Sequence, residues 1–300
     1  MTLTQAVSAR IERIQIFPVK SCHGIELQEA TLTRHGLQYD RLWVITDRSG
    51  MFISQRTDGA EKLACVKPEM QELVLVLRAP GMEALHVDIF AGKDRTPLQI
   101  QVQKDPQRDK ISAIDEGDKA AQWLSEYLKI DVRLCRITDT LPRYADEFYA
   151  GGPGIKLRGQ DGFPLLVTSR ESVEELNRIM AAEGAAPIDA SRFRANIELS
   201  GLGAFGEDNI STLSLPDRSV ILELVKPCGR CKIINVDQES GHFDARNRLA
   251  NPLTHIAKHR TMTNKGGERH AMFGQNAIAT AGQGRSVKVG DRLIALKADG

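Results

Sequence analysis

Two cysteines stand three positions apart in the run Lys226-Pro227-Cys228-Gly229-Arg230-Cys231. Such a pair admits four kinds of chemistry. It can be two ordinary thiols, one of them buried. It can be a redox dithiol, which needs its first sulfur at a helix N-terminus whose dipole lowers the thiol pKa. The residues that follow, Lys232-Ile233-Ile234-Asn235-Val236-Asp237, form a β-branched run better suited to a strand, which disfavours that account. It can be half of a zinc site: His255 and His259 are four apart, on one face if helical, and complete a C-x2-C…H-x3-H set. Gly241, Asn251 and Pro252 break the intervening stretch.

The fourth chemistry is that of a soft metal. A molybdenum ion already held by the two dithiolene sulfurs of a pterin needs one soft anionic ligand from the protein, and a thiolate meets that need. The cofactor's phosphate then needs cationic or backbone donors. Arg230, next to Cys231, is placed to help keep that sulfur deprotonated.

Composition removes other classes. The chain of 300 residues carries 40 Lys and Arg against 39 Asp and Glu, so no net field favours nucleic acid or an anionic membrane. No apolar run approaches the roughly 20 residues of a spanning helix. Met1 to Ile11 lacks a basic n-region and an apolar h-region, so a cytoplasmic location is expected. The five cysteines (Cys22, Cys65, Cys135, Cys228 and Cys231) are too few and too scattered for a disulfide framework or an iron–sulfur cluster.

The elements that must hold these groups read mostly as strands. Ile11-Glu12-Arg13-Ile14-Gln15-Ile16 alternates in part before Pro18, and Ala30 to Thr33 and Arg41 to Thr46 follow as short β segments. Asp47-Arg48-Ser49-Gly50 is a hairpin turn, and Glu72 to Leu77 and Leu98 to Val102 continue the β pattern. A helix begins near Asp118, its expected cap, with Ala120, Ala121, Trp123, Leu124, Tyr127 and Leu128 on one face. Strand returns at Asp131 to Cys135, and Gly151-Gly152-Pro153-Gly154 marks a boundary. A second helix starts near Arg170, with Thr168 and Glu171 at capping-box spacing. Asn196 to Ser200, Val220 to Val225, Ile233 to Val236 and two short strands within Val287 to Leu296 complete the pattern. Strands do not alternate strictly with helices, which disfavours a doubly wound sheet and favours a strand-dominated, barrel-like α+β protein.

Several of these stretches together resemble the MOSC family, in particular the branch of the mitochondrial amidoxime-reducing component and its bacterial relatives. They are Phe17-Pro18-Val19-Lys20-Ser21-Cys22-His23-Gly24, Tyr39-Asp40-Arg41-Leu42-Trp43, Ser54-Gln55-Arg56, Asp161, Phe193-Arg194-Ala195-Asn196-Ile197, the Cys-Gly-Arg-Cys run and Val289-Gly290-Asp291. The resemblance implies an N-terminal β-rich domain at 8–138, a MOSC β-barrel domain at 150–298 and a cofactor cleft between them. It makes Cys231 the metal ligand and leaves Cys228 without one. Lys20, Ser21 and Arg41 match residues that hold the cofactor's phosphate and pterin; Arg194, Asn196 and Arg230 match further contacts, and Asp161 stands beside the metal. Plainer readings exist for each: strand-edge charges for Lys20 and Arg41, turn residues for Ser21 and Asp161, an ordinary ion pair for Arg194, a strand end for Asn196.

The implied activity is a molybdenum-cofactor-dependent reduction of small N-hydroxylated compounds such as hydroxylamines and amidoximes, in which Asp161 could relay a proton. The chain ends soon after its last expected strands, so the electrons are expected from a separate protein, a ferredoxin, flavodoxin or cytochrome b5-like donor with its reductase. The alternatives are a carrier of the cofactor or of sulfur as a Cys231 persulfide, and a zinc-stabilised binding module.

Overall fold

The alternating run at the start of the chain forms the strand Ala6–Ile16, in which Ile11 and Ile14 are wholly buried. The computed structural model describes residues 6–92, 94–103, 105, 108–243, 250–263 and 267–298. This first strand pairs antiparallel with Ile197–Ser200 on one side and Arg292–Lys297 on the other. Pairing continues through Ile210–Ser214, Ile221–Gly229, Arg269–Ala281 and Leu165–Ser169, and returns to Ile197–Ser200. Seven strands thus close a barrel. Closure removes the open edges that an isolated sheet would expose. One neighbouring pair is parallel, Leu165–Ser169 with Ile197–Ser200, and its crossover contains the helix Arg170–Ala182. Residues 8–16 fall within the first expected domain, yet they hydrogen-bond into this barrel with strands from the second half.

Of the four smaller sheets among the described residues, two build the core beside the barrel. One orders Trp43–Thr46, Arg133–Ile137, Lys110–Asp115 and Leu98–Gln101, all antiparallel. The other is the meander Lys67–Gln71, Val74–Arg78 and Leu85–Asp88. The helix Asp118–Leu128 buries Ala120, Ala121, Trp123, Leu124 and Leu128, and it packs into one core with Trp43, Leu75 and Leu134. The result is the strand-dominated α+β architecture that the sequence pattern implies.

Some local expectations need correction. Gly117, not Asp118, occupies the N-cap of the first helix, and Asp118 pairs with Arg133 at 2.9 Å. Ser169 caps the second helix by accepting from the Ser172 amide, because Thr168 is still in the strand; Glu171 instead accepts from the Gly201 amide at 2.8 Å. The run after the cysteines is no strand. Lys232–Asn235 is a 3-10 turn that drops Ile234 into a cluster with Phe193, Ile256 and Phe273, and this burial outweighs the β preference of two isoleucines. The Asp47 turn does form, with the Asp47 carboxylate accepting from the Ser49 and Met51 amides.

Candidate functional site

Phe17 to Lys20 runs beside Arg41 to Trp43, tied by Arg41 N–H to Phe17 O, Trp43 N–H to Pro18 O and Lys20 N–H to Trp43 O, at 2.8 to 2.9 Å. The pairing brings Lys20, Ser21 and Arg41 to one wall of a cleft of about 720 Å³. Asp161, Arg194, Asn196, Arg230 and Cys231 line the same cleft, so the residues that the resemblance assigns to the cofactor meet in one place. The backbone is unusual there. Ser21, Arg41 and Arg194 have φ of 70°, 48° and 56°. A non-glycine residue in this left-handed region costs about 1–3 kcal/mol, and such costs gather where side-chain direction matters more than stability.

Charge is arranged in two ways. Arg41 is neutralised by Asp40, with its Nη1 2.6 and 2.7 Å from the two carboxylate oxygens. The same Nη1 also reaches Asn196 Oδ1 at 3.2 Å, and Nη2 donates to Arg194 O at 3.1 Å. Arg194 is different. It is 9% exposed, its Nη1 donates to the neutral Gln238 Oε1 at 3.0 Å, and among the described residues no carboxylate forms an ion pair with it. Burial, and the nearby Arg41 cation, push its pKa down to about 9. Both guanidiniums lie over Phe17, 4.4 and 4.2 Å from the ring centre.

Lys20 donates to Gly159 O at 2.6 Å and to the Asp161 carboxylate. Burial lowers the Lys20 pKa, and Asp161 opposes that shift. For Asp161 the partial loss of water within the cleft works upward, but the Lys20 ammonium, helped by Arg56 and Arg143, outweighs it and holds the carboxyl well below the usual range. The side chain is 61% exposed, so it meets the water of the cleft. Gly159 lets this loop lie against the backbone of Arg41: its N–H donates to Arg41 O at 3.0 Å, and a Cβ there would stand 2.9 Å from the same oxygen.

The cysteines sit where the strand Ile221–Gly229 ends. Arg230 N–H donates to Ala271 O at 2.8 Å, and Cys231 caps the 3-10 turn. Cys228 and Cys231 are both half-buried and line the cleft, whereas Cys22, Cys65 and Cys135 are buried elsewhere. Burial pushes the Cys22 thiol up to about 12 and Cys135 to about 11. The Arg230 guanidinium does not serve Cys231, as its sequence position suggests. Its Nη1 lies 3.1 Å from Cys228 Sγ, its Nη2 reaches Phe193 O at 2.8 Å, and its Nε is buried without an acceptor. The chain leaves the strand at Arg230, just past an irregularity between Pro227 and Gly229, and the guanidinium lies against Cys228. Asn196 lines the cleft but spends its amide on the fold. Its Oδ1 accepts from the Leu166 amide at 3.1 Å and from Arg41, and its Nδ2 donates to Gln15 O at 3.1 Å.

The zinc set does not assemble. His255 and His259 do share a helix face, in Pro252–His259, but their ring nitrogens lie 2.8 and 2.7 Å from the Glu183 carboxylate, which also binds Lys258. Among the described residues no cluster of His, Cys, Asp and Glu could hold a metal by itself.

Sequence reasoning passed over two residues that shape the cleft. Arg143, within the punctuated segment, is buried; it pairs with Asp109 at 2.9 Å and donates to Gln160 O and Asp161 O at 2.6 and 2.5 Å, bracing the loop that carries Asp161. Gln238 holds Arg194. Neither sits in a motif whose spacing could have marked it.

Comparison with known proteins matches the MOSC N-terminal beta barrel domain to residues 8–131 and the MOSC domain to residues 154–294. The chain belongs to the MOSC family. This MOSC protein is 28% identical over 247 residues to the human molybdenum cofactor sulfurase, covering 77% of the chain but 27% of the sulfurase. It is also 28% identical to the mouse mitochondrial amidoxime-reducing component 1 and to the bovine mitochondrial amidoxime reducing component 2, covering 80% of the chain in each case and 69% and 70% of those relatives. It thus spans about a quarter of the length of the sulfurase. The cleft of this MOSC protein suits a pterin-held metal in three respects: a thiol on its wall, a buried cation that forms no ion pair among the described residues, and an orphaned donor at Arg230 Nε. Among the described residues no helix is long and apolar enough to cross a membrane.

Proposed function

We propose that this protein binds the molybdenum cofactor in the cleft, with the Cys231 thiolate as metal ligand, and reduces small N-hydroxylated compounds. The observation that carries the cofactor reading is Arg194. A buried charge without an ion pair is costly, so a guanidinium held by a neutral amide in the cleft wall, with no carboxylate paired to it among the described residues, calls for an anion from outside the protein. A phosphate is such an anion, and charge-assisted bonds to it are about twice as strong as neutral ones.

In this reading Arg194, Arg41, Lys20 and the Ser21 hydroxyl hold the phosphate and pterin. Lys20 has three N–H donors; two are committed to Gly159 O and Asp161, which leaves one for the ligand. Asn196 acts through Arg41, keeping the guanidinium in the cleft wall. Arg230 offers its free Nε–H to the pterin side. When bound, the cofactor supplies the two-electron chemistry that breaks an N–O bond and releases water, with electrons from a separate ferredoxin, flavodoxin or cytochrome b5-like protein. Asp161, kept ionised by Lys20, is suited to accept a hydrogen bond from the substrate N–H. As a proton donor it is too acidic to match neutral pH.

The test is turnover of a molybdenum-loaded preparation with a chemical reductant and an N-hydroxylated base. Reduction to the parent base supports the enzyme. Fully loaded protein that gives no product, but passes its cofactor or a labelled sulfur to an apo-enzyme, supports the second reading, a carrier acting through Cys231. The half-exposed thiol and the resemblance to cofactor sulfurases favour that alternative.

A further inference from the structure

Gln55 and Gln238 come from opposite parts of the chain and are 1% and 4% exposed. Their amides face each other and exchange hydrogen bonds: Gln55 Nε2 donates to Gln238 Oε1 at 3.2 Å, and Gln238 Nε2 donates to Gln55 Oε1 at 3.1 Å. The outer groups are committed as well. Gln55 Nε2 donates to Ser21 O at 2.7 Å, Gln238 Nε2 to Val236 O at 3.0 Å, and Gln238 Oε1 accepts from Arg194 Nη1 at 3.0 Å. All four N–H donors of the pair are therefore used, and it joins the backbone of Ser21 to the side chain of Arg194.

The residues at both ends have left-handed backbones and line the cleft. A carboxylate at position 238 would hold Arg194 more strongly, but it would also cancel its charge. A neutral amide oxygen fixes the direction of the guanidinium and leaves its charge for a ligand. The neighbouring cation shows the other arrangement, since Asp40 neutralises Arg41.

We infer that Gln55 and Gln238 are positioning residues that hold Arg194 aimed and uncompensated for the phosphate of the bound cofactor. The inference rests on the cofactor reading above and adds to it the part of the fold that prepares the anion site. A pair that only cemented two parts of the chain would not need to end on Arg194.

The experiment is a double-mutant cycle on the full chain, read as pyrophosphate affinity by calorimetry. Gln238→Leu is made alone and in an Arg194→Met background, with thermal melting to verify folding. The expected result is a loss of about tenfold or more in affinity with Arg194 present, equivalent to about 1.4 kcal/mol, and little further loss with Arg194 replaced. Equal losses in both backgrounds would overturn the inference while leaving the anion site intact. Should Gln238→Leu not melt cooperatively, Gln55→Leu enters the same cycle from the other side of the pair, with the same expectation. Wild-type protein that binds no pyrophosphate, and retains no pterin when expressed with the cofactor, would overturn the underlying reading and this assignment with it.

Discussion

The Lys20 ammonium donates to the Asp161 carboxylate across 141 residues of sequence, from the loop after the first strand to the loop that Arg143 braces. Each changes what the other can do. The carboxylate keeps a buried lysine charged, and the lysine keeps the carboxylate ionised. Asp161→Asn should therefore leave molybdenum content near that of the wild type and lower kcat/KM for an N-hydroxylated substrate. A hydrogen bond to a charged group contributes about 1.5–3 kcal/mol, so the expected loss is roughly ten- to a hundredfold. Lys20→Met should instead lower cofactor retention.

The five thiols should separate by position. Native protein treated with an alkylating reagent near neutral pH should be labelled at Cys228 and Cys231, which line the cleft. Cys22 and Cys135, buried and with pKa values raised to about 12 and about 11, should stay unlabelled until the protein unfolds. Peptide mass analysis reads this directly. Cofactor loading should then protect Cys231.

Asn196→Ala removes an acceptor from Arg41 and from the Leu166 amide, and a donor from Gln15 O. Leaving buried partners unsatisfied costs about 1–3 kcal/mol each, so the melting temperature should fall by several degrees. Pyrophosphate affinity should fall as well, because Arg41 loses its brace. A variant that melts lower but binds unchanged would confine Asn196 to a structural role.

His35 is buried, 3.1 Å from Asp139, and desolvation pulls its pKa down to about 4 against the Asp139 charge. In the unfolded chain the imidazole titrates near 6.5. Between those values the unfolded state binds more protons, so stability is present above about pH 6.5 and is lost as pH falls towards about 4. Melting temperatures across this window should show the decline, and His35→Gln should flatten it.

Much of this was readable in the chain. The periodic runs at 118–128 and 170–180 are helices because one apolar stripe repeats every three to four residues, and the Asp47 turn is written in local residues. The cleft residues were readable through the resemblance to MOSC proteins, which the short runs holding Lys20, Arg41, Arg194 and Cys231 carry jointly; taken alone, each had a plainer structural reading. What escaped is set by distant contacts. The closing of a barrel by Ala6–Ile16 depends on partners near residues 197 and 292, which no local pattern announces. Lys232–Asn235 has strand-like residues and turns because Ile234 finds a core. Arg230 adjoins Cys231 in sequence but reaches Cys228, because the chain leaves the strand between the two cysteines past a break in register that no local pattern announces. Gln55 stands in the run Ser54-Gln55-Arg56 but Gln238 in no motif, so the meaning of the pair comes only from what each amide touches.

The most direct measurement is molybdenum and pterin content of protein purified from a cofactor-competent host, for the wild type, Cys228→Ser and Cys231→Ser. The account predicts about one molybdenum and one pterin per wild-type chain, near-wild-type loading in Cys228→Ser, and loss of the metal and of turnover in Cys231→Ser. Equal metal content and turnover in Cys231→Ser and wild type would contradict it.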